Sequence, residues 1–269
     1  MIDIFVPILT MAALGFMFSV GLVFAYNKLK VEENPKITEV NESLPQANCG
    51  ACGFSGCRAF AEAVVGGKAE VSGCPVGGAD TANQVASILG VDAGEIIKKV
   101  ARLHCRGTLE AAQSRGVYMG IPTCSAAHLV GGNKQCSSGC IGYGDCVKVC
   151  QFNALDMGEN GLPVVRENNC TACGKCVDVC PRNLFELHAL DQEIIVFCRS
   201  EDRGPLARKL CKNACIACGI CARACPEAIE MVGYLAKITD FKKIDPEKIP
   251  EIEKCPTDSI GRIHKTDEG

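Results

Sequence analysis

The chain has 269 residues, 21 of them cysteine, with no tryptophan, 5% aromatic residues and a formal net charge of −3. Without a basic stripe, that charge leaves nucleic acid with no footprint, and the length removes the need for the disulfide staples of a small scaffold. With so few large side chains, metal–thiolate bonds are expected to supply part of the folding energy.

The first element is apolar. Ile4 to Tyr26 is a 23-residue run without a charge, about 34 Å long as a helix and enough to cross a bilayer. A cleaved signal peptide is the alternative, but Asp3 stands where a basic residue belongs and the run exceeds a signal h-region. Lys28 and Lys30 follow, which by the positive-inside bias puts the remainder on the cytoplasmic side of a single-pass anchor over 1–27. That compartment is reducing, so thiolates stay free for metal. Residues 28–45, polar and acidic with Pro35 and Pro45, read as a linker.

A small helical unit over 46–92 follows. NCGACGFSGC and SGCP place Cys49, Cys52, Cys57 and Cys74 at spacings that suit a [4Fe–4S] cluster or structural zinc. The pattern from Arg58 to about Gly66 is helical. Thr81 to Ala101 reads as two short helices packing through Val85, Ile88, Leu89, Ile96, Ile97 and Val100. A connecting segment spans 93–130.

The strongest signal lies in a ferredoxin-like domain over 131–190. Cys170-x2-Cys173-x2-Cys176-x3-Cys180-Pro181 is the bacterial ferredoxin run, whose fourth cysteine serves the neighbouring cluster. Its partner is Cys136-x3-Cys140-x5-Cys146-x3-Cys150, with Tyr143 in place of a middle cysteine and Cys136 as compensation. Exchange then gives one cluster to Cys136, Cys140, Cys146 and Cys180 and another to Cys150, Cys170, Cys173 and Cys176. GLPVVRENN, FELHAL and EIIVF read as flanking strands.

Residues 191–269 repeat this module in degenerate form. Cys211, Cys215, Cys221 and Cys225 reproduce the spacing of Cys136 to Cys150, with Cys218 added at the position of Tyr143. ARLHCRG and VFCRSEDRG extend the repeat upstream. No second triplet follows; only Cys255 of EKCPTDSI remains. The exchange rule therefore assigns a fourth cluster to Cys215, Cys218, Cys221 and Cys255, with Cys211 as the competing ligand, and leaves Cys225 an orphan. Cys105, Cys124, Cys198 and Cys211 are left over as reduced buried thiols, with a further cluster drawn from Cys105 and Cys124 as the alternative. His104, His128, His188 and His264 lack metal spacing. The fold class is α+β: one transmembrane helix, a small helical cluster domain and ferredoxin-like modules.

The anchor, the NCGACGFSGC unit, the ferredoxin pair and GIPTCSAAHLVGGNKQCSSGCIGYGDCVKVC together resemble RnfB, a component of the Rnf ion-translocating electron-transport complexes, in its longer clostridial form. Gln151 after Cys150 and the missing last triplet depart from that pattern. The resemblance implies a chain of [4Fe–4S] clusters, four by the cysteine count, carrying electrons between soluble ferredoxin and NAD. It further implies that this flow drives Na⁺ or H⁺ across the cell membrane, with the other subunits and lipid as partners. A non-pumping reductase subunit, a tethered redox sensor and a zinc scaffold are the alternatives. No GxGxxG or Walker motif occurs, and the anchor run carries no ionisable residue to form an ion path.

Overall fold

The computed structural model describes residues 2–29 and 34–263; Lys30 and His264 lie outside the described residues. Helix α1 (Ile2–Leu29) contains the stretch Ile8–Leu29, with mean hydropathy 2.2, long and apolar enough to cross a membrane. Phe16, Met17 and Phe18 follow one another around the helix and are all exposed, so no polar face is available for water. An apolar helix on which nothing packs among the described residues fits a lipid environment.

The segment expected as linker contains a helix. Helix α2 (Pro35–Ser43) starts with Pro35 in its first turn and Asn34 capping Lys36 N–H at 3.1 Å, and Pro45 follows its end. The two prolines therefore bound the helix instead of breaking the chain. Val40 and Leu44 are buried against Phe60, Ala61 and Val64 of α3 (Cys57–Val65) and Val85 of α4 (Gly78–Leu89). Because α2 completes this three-helix core, a chain beginning at residue 34 is expected to keep the first unit folded. One beginning at residue 45 exposes Phe60 and Val85 and is expected to lose that unit's iron, measured by iron assay of the two truncations.

The second helix expected before Ala101 is absent. Gly90 ends α4 in the left-handed region (φ 74°), Gly94 takes it again, and Lys99–Leu103 forms strand β1. Val100 and Ala101 are buried in β1; these residues read equally well as helix by apolar spacing, and strand pairing decides.

Two similar modules follow. In the first, after β1, come α5 (Cys124–Leu129), α6 (Asp145–Lys148), the hairpin β2 (Leu155–Met157) and β3 (Pro163–Val165), then α7 (Lys175–Asp178) and β4 (Phe185–Ala189). Strand β4 pairs antiparallel with β1, Leu103 opposite Phe185. In the second come β5 (Ile194–Val196), α8 (Gly204–Leu210), α9 (Ile220–Ala224) and the hairpin β6 (Ile229–Val232) and β7 (Leu235–Ile238). Two 3₁₀ turns, α10 (Ile249–Ile252) and β8 (Ile260–Arg262) close it, and β8 pairs antiparallel with β5, Val196 opposite Ile260.

The correspondence is residue by residue. Leu103 stands two before Cys105 and Phe185 five after Cys180; Val196 stands two before Cys198 and Ile260 five after Cys255. Each module is thus closed by its first and last strands, with the cysteine loops held between them.

Candidate metal centres

All 21 cysteines are free thiols. Cys49, Cys52, Cys57 and Cys74 line one cavity of about 320 Å³. Asn48, in the left-handed region, accepts the N–H of Cys57 at 2.9 Å and fixes where α3 begins. Cys150, Cys170, Cys173 and Cys176 line a second cavity of about 350 Å³. These are the two sets expected from the sequence.

A third cavity, of about 400 Å³, is lined by Cys140, Cys146, Cys180 and Cys124. Cys124 stands where Cys136 was expected, and the physical reason is local. Thr123 caps α5 through Ala126 N–H at 3.2 Å, and Asp145 accepts the N–H of Cys124 at 2.8 Å, so α5 is tied to the start of α6. Tyr143, in place of the missing cysteine, packs on Tyr118 and the Cys124–Ala127 face of α5. Cys136 lies in a different cavity, with Cys105, Cys198 and Cys211.

Of the last set, Cys215 and Cys221 are buried in one core and Cys255 packs against it; Cys218 stands three residues before Cys221, in the same loop. The turn at Cys255 matches those at the other closing cysteines. Asn153, Asn183 and Asp258, each three residues past its cysteine, all take positive φ (50°, 50° and 47°). Amide N–H groups four residues on reach the sulfur, Ala154 to Cys150 and Leu184 to Cys180 at 3.4 Å, and Ser259 does the same for Cys255. Ala172 and Ala217, at equivalent places in the triplet loops, share φ near 55°. Cys225 has no such turn; its S–H donates to Lys243 C=O at 3.8 Å. Cys211 lines the cavity of Cys136.

Electrostatics explains why these thiols need a cation. Burial pushes Cys140, Cys146 and Cys176 up to about 12, and neighbouring thiolates add to it. Four thiolates in one apolar cavity are stable only around positive charge, and binding releases their protons. For Cys255, burial raises the thiol, but hydrogen bonds from Ser259 and Thr257 together outweigh it and the net direction is down. Amide and hydroxyl donors aimed at sulfur are the surroundings an iron–sulfur centre uses.

His104 and His188, distant in sequence, meet at 2.8 Å between their Nε2 atoms, with Glu186 3.2 and 3.4 Å away. Hydrogen bonds from His104 and then His188, with Arg199 also paired to it, hold the Glu186 carboxyl well below the usual range. The pairing of β1 with β4 creates this cluster, which no spacing in the sequence announces.

Comparison with known proteins agrees with this chemistry. Residues 44–76 match an Fe-S cluster family, and residues 138–184 and 169–230 match two 4Fe-4S dicluster domain families. The B component of the Na⁺-translocating ferredoxin:NAD⁺ oxidoreductase complex of Acetobacterium woodii is 45% identical over 96% of this chain and 77% of its own length. The chain belongs to the RnfB family. Other RnfB relatives are the B component of the proton-translocating ferredoxin:NAD⁺ oxidoreductase complex of Clostridium ljungdahlii (37%, over 95% of this chain and 91% of the relative) and that of the ion-translocating oxidoreductase complex of Methanosarcina acetivorans (40%, over 76% and 78%). The dicluster matches make several [4Fe–4S] clusters the cofactors, and the apolar helix α1 fits a membrane anchor. In this RnfB chain the two dicluster matches begin after Cys136 and end before Cys255, so neither reaches Cys105, Cys124 or Cys255.

Proposed function

We propose that this chain is the electron relay of a membrane complex coupling electron flow between reduced ferredoxin and NAD to translocation of Na⁺ or H⁺. The observation that carries the reading is the interleaving of the thiols: Cys180 of one loop lines the cavity of Cys140 and Cys146, while Cys150 lines the cavity of the Cys170 triplet. Such exchange locks two centres side by side. Four sets would each hold a [4Fe–4S] cluster: Cys49, Cys52, Cys57 and Cys74; Cys124, Cys140, Cys146 and Cys180; Cys150, Cys170, Cys173 and Cys176; and Cys215, Cys218, Cys221 and Cys255. A bound [4Fe–4S] cluster supplies one-electron chemistry at a potential set by its surroundings. The chain's own part is to hold the thiolates, point amide N–H groups at them and exclude water with the apolar walls of the cavities.

Helix α1 anchors the chain in the lipid with the modules on the cytoplasmic side, a reading supported by Lys28 at its end. Soluble ferredoxin is the donor or acceptor, and the other subunits take the far end. The first unit, nearest the anchor along the chain, passes electrons to the membrane partners. In membranes carrying the whole complex, Cys49→Ala is expected to leave oxidation of reduced ferredoxin by the modules intact for one turnover and to stop NAD reduction. Normal NAD reduction by that variant overturns the order, and failure of the wild-type chain to oxidise reduced ferredoxin at all overturns the relay.

A further inference from the structure

The cavity where the two modules meet is not used by any of the four sets. It measures about 330 Å³, in line with the cavities of the first three sets, and is lined by Cys105, Cys136, Cys198 and Cys211. We propose that these four thiolates hold a fifth [4Fe–4S] cluster, shared equally between the two repeats. The proposal rests on the relay reading and adds a site to it.

The repeat itself gives the first argument. Cys105 and Cys198 are the cysteines of the two Cys-Arg segments, and Cys136 and Cys211 open the two modules at equivalent positions. Each repeat therefore gives the same pair of thiols, and the four meet at one cavity. Four cysteines left over by chance would not be related in this way.

The surroundings of the sulfurs repeat too. Cys105 accepts amide N–H groups from Gly107, two residues on, and from Cys140, both at 3.3 Å. Cys198 accepts from Ser200, two residues on, at 3.4 Å, and from Cys215, the equivalent of Cys140. Cys136 accepts from Ser138 and Cys211 from Asn213, again two residues on. Six amides are thus aimed at four sulfurs, the kind of surroundings an iron–sulfur centre uses.

Lys134 supplies the third argument. It is 3% exposed, its Nζ donates to Gly107 C=O at 2.6 Å, and among the described residues no carboxylate pairs with it. A buried ammonium needs a counter-charge. It is one of the charges felt by Cys211, and an iron–sulfur centre on four thiolates is a net anion beside it. The arginines clamp the arrangement from both sides. Arg106 crosses to Asp258 and Arg262 C=O at 3.0 Å each, and Arg199 crosses the other way to Glu186.

The test is an anaerobic iron, sulfide and zinc assay of the full chain, with EPR of the reduced protein. Five cubanes predict about 20 irons per chain and no zinc. Cys198→Ser and Cys211→Ser are each expected to lose about four irons and one EPR component. Cys225→Ser, the buried thiol outside every set, is expected to lose none. If a serine variant fails to fold, the wild-type count still decides. About 16 irons, with or without one zinc per chain, overturns the fifth cluster and leaves the relay standing. A count far below 16 with zinc in several sites overturns both.

Discussion

Replacing Cys180 by alanine should empty the cavity of Cys140 and Cys146, not the site of its own sequence triplet. The loss should be about four irons per chain, one whole cubane, because a three-thiolate remnant leaves one iron without its protein ligand. Alkylation under native anaerobic conditions identifies which site is lost. In Cys180→Ala, the thiols of Cys124, Cys140 and Cys146 should become reactive while Cys170, Cys173 and Cys176 remain protected. Cys150→Ala should give the reverse. The cavity linings lead to this result: Cys180 lies with Cys124, Cys140 and Cys146, and Cys150 with the triplet. Electron transfer through the complex should stop in both variants, since each removes a link and not a support. Protection of the Cys140 site in Cys180→Ala would show that closing cysteines serve their own loops, and the place given to Cys255 would go with it.

What could be read from the sequence follows from how local each signal is. The triplet CTACGKC wraps a single loop, so its spacing alone defines its geometry, and the same is true of NCGACGFSGC. Cys255 could be proposed as a ligand because the repeat carries its counterpart Cys180 at the end of the ferredoxin run. Cys124 could not. It sits 16 residues before Cys140 on a separate short helix, and tertiary contacts, from Asp145 to the start of that helix and from Tyr143 to its face, bring it to the cavity. A nearer thiol, Cys136, offered a better spacing but lines a different cavity. One signal for Cys124 was present in PTCSAAHL, where Thr123 is a helix cap directly before a cysteine. The convergence of Cys105, Cys136, Cys198 and Cys211 depends on how the two modules dock, which no window of sequence contains. Helix α2 was missed for a different reason. Ile37, Val40 and Leu44 form an apolar stripe at helical spacing, but the polar composition around them and two prolines suggested a linker. The lost second helix before Ala101 is a case of short apolar runs whose period does not separate helix from strand.

Ile252→Ala is expected to be the most damaging single truncation in the second module, costing about 2–5 kcal/mol, against about 0.5–1.5 for Ile252→Val. In the first module, the segment between the hairpin and the closing cysteine carries the triplet, which lines the cavity of a proposed cluster. In the second, the same segment carries two 3₁₀ turns and α10, and Ile249 and Ile252 are buried in the core that contains Cys225 and Ala228. Ile252 has no exposed surface at all. Under the proposed ligand sets, apolar side chains take over the stabilising role that iron–thiolate bonds would play in the other repeat, and Cys225 is a packed thiol. Emptying that position creates a cavity with no metal to hold its walls, and it lies next to α9, which carries Cys221. The unfolding midpoint in guanidinium, followed anaerobically by the visible absorbance of the clusters, should fall for Ile252→Ala and fall much less for Ile252→Val. Cys225→Ser, which keeps a donor for Lys243 C=O, should shift it little and leave the iron count unchanged. Loss of about four irons in Cys225→Ser would make Cys225 a ligand and the apolar replacement wrong. An unchanged midpoint in Ile252→Ala would show that the packing around α10 does not hold the module together.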